Sequence, residues 1–223
     1  GDIAARRTAN REAATHYQAA LRLLKRVDES SDHSAVERDL NMKLGTVLEN
    51  SLGYTAAETQ QCFARALELS LQIDSVDEYL ASCAGLAPTL YAAGQFGEVL
   101  NLFGKVKRSN VDRASASARA NYLLCTGISH FHLGRIRQAW EHFGAVQDLL
   151  EAIPALHGHM LGGAYFFVPF GSYATRALVL LGRLDQARRI SERLLQDAAQ
   201  SAHVPSQVWA MNSRAMSMSA ARC

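Results

Sequence analysis

Proline is scarce in this 223-residue chain, with four in all, and the 15 glycines are few for a β-rich or disordered protein. No apolar run reaches membrane-spanning length. The greasiest stretch, 164–170, is short and contains Pro169, and no secretory leader pattern is present. Four cysteines, Cys62, Cys83, Cys125 and Cys223, form no C-x-x-C pair, and three fall on apolar positions of helical patterns. That usage fits buried free thiols in a reducing compartment, so a soluble, cytoplasmic protein is expected. Charge of one sign is also missing: 23 basic and 21 acidic residues leave a net +2 and imply no strong electrostatic partner.

The two halves differ slightly. Residues 1–111 carry 12 basic and 14 acidic groups, whereas 112–223 carry 11 and 7, every base there being Arg. Arg183, Arg188, Arg189 and Arg193 make one basic helix, open to an RNA reading or to a plain solvated face. The pI of 8.4 falls short of a nucleic-acid footprint and favours the solvated face.

What the chain does have is a repeat. Gly53, Gly94, Gly134 and Gly182 each separate two helical stretches, and a small or β-branched residue follows near five positions on. With those residues as markers, copies fall at 13, 59, 99, 139 and 187, spaced 46, 40, 40 and 48. Such a period marks a helical solenoid. Abundant Ala, Leu, Gln, Glu and Arg agree with an all-α chain.

Apolar spacing of three and four predicts a half repeat at 8–27 and full repeats at 35–73, 78–107, 112–152 and 169–200. A capping or half repeat follows at 205–221, and the uneven spacing marks an insertion at 155–168. Ser34, Thr55 and Asp77 are the expected N-caps, and Pro169 suits a helix start. Gly45, in the middle of a helix, predicts that another backbone passes close by. Because the chain starts without Met and in mid-repeat, it reads as one domain, 1–223, cut from a longer protein.

The set Gly127, His130, Gly134, Ala139, Phe143 and Val146 resembles the tetratricopeptide repeat (TPR). Gly45, Leu48, Gly53, Phe63 and Ala66 repeat it with one inserted residue, and Ala87, Leu90, Gly94, Val99 and Phe103 repeat it with Ala for the first Gly. Leu178, Gly182 and Ala187 repeat it with Thr175 and Ser191 in place of the Gly and the aromatic. The resemblance implies a right-handed α/α superhelix, although these units are longer than the usual TPR of about 34 residues. It also implies that first helices line a concave, partner-binding face.

More narrowly, Gly53-Tyr54, Ala56-Ala57-Glu58 and Phe63-Ala64-Arg65-Ala66-Leu67-Glu68-Leu69 resemble the C-terminal repeats of bacterial signalling ATPases, many fused to adenylate cyclase domains. That likeness implies a regulatory role in signal transduction.

Catalytic patterns are missing. Gly104-Lys105 lacks the rest of a phosphate loop, and Phe170-Gly171-Ser172-Tyr173 is no nucleophile elbow. His130, His132 and His142, or His157 with His159, lack ligands to complete a zinc site, and His130 and His132 point apart on a helix. The expectation is no enzyme, cofactor or metal.

The glycine register, through the resemblance, puts Asp39, Met42, Thr46 and Asn50 on the concave face. Ala84, Pro88 and Tyr91 follow, then Asn121, Leu124, Ile128 and Phe131, then Ser172, Arg176 and Val179. Asn50, Asn121 and Arg176 suit a peptide backbone or carboxylate, and the apolar members suit an amphipathic helix. The expected partner is a protein segment or a neighbouring domain of the same chain, rather than nucleic acid or membrane. The alternative is a sensor of a transcriptional regulator that binds a small effector near 157–176.

Overall fold

The computed structural model describes residues 10–26, 33–158, 160–161, 164–201 and 204–220; of 160, 161, 164, 205 and 217–220 only the backbone is described. Within them lie eleven α-helices: α1 Asn10–Leu24, α2 His33–Leu52, α3 Ala57–Ser70, α4 Val76–Ala92, α5 Phe96–Gly104, α6 Arg108–Arg113, α7 Ala116–His132, α8 Ile136–Ala152, α9 Phe167–Leu180, α10 Leu184–Gln200 and α11 Val204–Ala220. Between α8 and α9 run a 3-10 turn, Pro154–Gly158, and a two-residue antiparallel ladder pairing Met160 with Tyr165 and Leu161 with Ala164. The all-α expectation holds, and no described helix is long and apolar enough to cross a membrane. The chain clusters into two compact units, Gly1–Ala118 and Arg119–Cys223.

In the first unit, α2/α3 and α4/α5 are the hairpins announced by Gly53 and Gly94; in the second, α8 follows Gly134 and α9/α10 flank Gly182. These four glycines have φ of +90°, +71°, +74° and +72°, a left-handed conformation that costs an L-residue about 1 kcal/mol or more. Three close their helices by one bond pattern. Gln95, Arg135 and Arg183 donate their N–H groups to Leu90, His130 and Leu178, while the preceding Gly bonds one turn back. Gly53 makes only the simpler bond to the Glu49 carbonyl. Its connection is therefore longer, which accounts for the residue by which that copy runs late.

The marker residues form the cores. Thr59, Ala66, Val99, Phe103, Ala139, Phe143, Val146 and Ser191 are fully buried, and Phe63 nearly so. A Cβ on Gly45 would stand 2.8 Å from the Phe63 ring, and one on Gly85 would meet that ring and the Met42 methyl at the same distance. Gly127 likewise faces Phe143 at 2.7 Å. The close neighbour of Gly45 is thus an aromatic ring and not a backbone: the missing side chain is a socket for the partner helix's largest one.

Several local expectations shift. Ser34 lies inside α2 and donates to Gln72. Ala56 precedes α3 without a side-chain cap, while the Thr55 carbonyl accepts from the Gln60 amide. Ser75, not Asp77, caps α4. Asp77 instead accepts the Ser115 N–H, and the Ser115 hydroxyl accepts that of Ala118, so one carboxylate braces the start of α7. The expected helix from 112 is two elements, α6 and α7. In the insertion, α9 starts two residues ahead of Pro169, which occupies its first turn, where no N–H is missed. Residues 8, 9, 27, 159, 162, 163, 221 and Cys223 of the predicted features lie outside the described residues.

Two charged groups are buried in the first unit. Arg38 on α2 reaches α4, pairing with Glu78 and donating to Ser82. Glu49, also on α2, is 6% exposed, and neither carboxylate oxygen has a partner among the described residues. Burial pushes its pKa up to about 7.

Candidate functional site

The residues expected on the concave face meet different fates. In the first unit, Asp39 is exposed and tied to Lys43 at 3.2 Å, and Asn50 is exposed. Met42 is half-buried, its methyl close to Gly85, and Tyr91 stacks on Phe96 at 5.9 Å. In the second unit, Leu124 is fully buried, and Asn121, Ile128 and Phe131 are 5%, 5% and 8% exposed. The expectation of an open surface at Asn121, Leu124 and Ile128 is therefore corrected. Burial covers nearly the whole of α7 between Ala118 and Phe131, so no choice of face on this stretch yields an exposed residue. Ser172 accepts a 2.7 Å hydrogen bond from Ser213 of α11, so its hydroxyl is engaged.

Phe131 and Arg176 do come together. The guanidinium carbon stands 5.0 Å from the Phe131 ring centre and 5.3 Å from that of Tyr173. Tyr173 meets Phe131 edge-on at 5.5 Å, stacks on Phe143 at 6.4 Å, and its hydroxyl lies 2.9 Å from Nε2 of His132. Helical spacing builds the cluster: Tyr173 and Arg176 are one turn apart on α9, and Phe131 and His132 end α7. Cation–π contacts of this kind contribute about 0.5–2 kcal/mol each and hold the guanidinium beside the two rings.

Its electrostatics are one-sided. Burial, and then the Arg176 charge, lower the His132 pKa, so the imidazole stays neutral near pH 7. Burial raises the Tyr173 pKa, opposed by Arg176. Half-buried Arg176 makes no ion pair with any described carboxylate. A guanidinium in that state keeps N–H donors for a carboxylate while its carbon lies against two aromatic rings.

Tyr173 and His132 are members of this cluster that the glycine register overlooked, although each lies next to or one turn from a residue it chose. The histidines separate as helical geometry requires: His130 stacks on His142 at 5.3 Å while His132 turns to Tyr173. Among the described residues no three His, Cys, Asp or Glu side chains are grouped to hold a metal. Cys62, Cys83 and Cys125 are buried free thiols, and burial pushes the first two up to pKa values of about 11 and 12. No protein-family model matches this chain, and no curated protein matches it.

Proposed function

We propose that this chain is a non-catalytic, right-handed TPR-like module of a bacterial regulatory protein, working in the cytoplasm by holding a protein segment. The repeated two-helix hairpins with left-handed glycine turns support the architecture. The observation that carries the binding reading is Arg176, a half-buried cation seated on Phe131 and Tyr173 with no carboxylate of its own. Its complement is an acidic side chain or a chain-terminal carboxylate, with an apolar neighbour for the ring edges. Engagement of that segment would bias an adjoining signalling domain.

The test is recovery of the partner by the wild-type protein and by Arg176→Glu, with thermal melting as the control for folding. Loss of one specific partner at unchanged melting temperature supports the reading. Equal recovery by the two proteins refutes it. Buried Asn121 serves as a contrast: Asn121→Ala should lower the melting temperature before it alters recovery.

A further inference from the structure

A second feature of the Arg119–Cys223 unit lies away from the Arg176 cluster and was built by the insertion. Between α8 and α10 is a cavity of about 650 Å³, floored by Phe167, Phe170 and Gly171 of α9. The 3-10 turn contributes to one end, where Pro154 and His157 line the wall and His157 Nε2 stands 4.0 Å from Asp197 of α10. That contact sets the C-terminal part of α10 beside the residues that follow α8, so the two helices run in the same direction.

Its charges are partly spent internally. At that end, Asp197 pairs with Arg193 at 3.3 Å, while Glu151 accepts from the neutral Gln147 amide at 2.9 Å. On the arginine-rich helix, Arg188 pairs with Glu192, which also holds Arg214. Arg189, the remaining cation on the cavity wall, has no carboxylate partner among the described residues. It stands two turns, about 12 Å, along α10 from Asp197, toward the other end of the helix. Beside it the wall is apolar, with Ile190 and Leu194 facing Leu150 and Trp140 across the floor. The Trp140 indole N–H likewise has no described partner.

We infer that this cavity binds a small apolar carboxylate, its body on Phe170, Ile190 and Leu194 and its head on Arg189. The volume lies within the usual range for small-ligand sites, and the shape and donors are of the usual kind: concave, largely apolar, with a few polar groups that fix orientation. The site is independent of the Arg176 surface, so either can fail alone.

The full chain carrying Trp209→Phe leaves Trp140 as its one tryptophan, and its fluorescence then reports occupancy. 4-Cyclohexylbutyrate, 4-phenylbutyrate and their primary amides are the probes. The acids should give saturable changes with Kd of about 0.1–1 mM, the range open to ligands of this size, and the amides should bind about tenfold more weakly. Arg189→Gln should bring the acids down to the amides' level, Ile190→Phe should weaken both by filling part of the space, and Arg176→Glu should change neither. Arg189 is exposed, so its variant remains informative if Ile190→Phe fails to fold. Equal affinity for acid and amide, an unchanged response in Arg189→Gln, binding only of acidic aromatic peptides, or no saturable change with either acid would each overturn the inference.

Discussion

Replacing Glu49 by Gln should make the protein more stable above neutral pH and flatten part of its pH profile. The Glu49 carboxyl is buried without a partner and titrates near 7 in the folded chain, against 4.5 when exposed. Between those values the folded state holds a proton that the unfolded state has lost. Stability therefore falls as pH rises from 4.5 to 7, by about 3 kcal/mol at about 1.4 kcal/mol per unit. Below pH 4.5 both states are protonated and the penalty is absent; above 7 it is complete. Gln keeps the shape and removes the titration. Urea denaturation followed by circular dichroism should show a wild-type-to-variant difference that grows across this window and then levels off. A difference independent of pH would refute the reasoning, because it would mean that the carboxylate is solvated or paired.

Gly127→Ala should destabilise the second unit by about 1–3 kcal/mol, since the new methyl overlaps the Phe143 ring, whereas Gly144→Ala, with nothing within 4 Å, should stabilise by up to about 1 kcal/mol. Thermal melts of the two variants check this, and a reversed order would remove the socket argument. His132, whose folded-state pKa is lowered, favours the folded chain while neutral. That contribution should disappear as pH falls below the ordinary value of 6.5, and His132→Phe should blunt the acid limb of the tryptophan-monitored transition.

The hairpins were legible because their signals are local and obligatory. A left-handed turn needs Gly and a close helix crossing needs a small residue; the small residue recurs four positions before Phe63, Phe103 and Phe143, and the Gly nine or ten before. The N-caps were less legible, since Ser, Thr and Asp near a helix start are interchangeable on paper. Asp77 was drawn away by the Ser115 amide, 38 residues on. Burial of Glu49 left no mark, because its position reads as one more polar residue beside Leu48. The cluster at Arg176 was half visible: Phe131 and Arg176 follow from the register, while Tyr173 and His132 depend on how two helices meet. The cavity wall needed three elements, of which the insertion was marked only by irregular spacing.

Phe63 is wedged between Gly45 of its own hairpin and Gly85 of the following one, so a single ring serves two helix pairs. That arrangement bears on how the first unit comes apart. Repeats joined by polar or slack contacts would open one at a time, like beads. A shared wedge means that the α2/α3 hairpin cannot loosen without uncovering the face of α4, and neighbouring hairpins are then bound to melt together as one cooperative block.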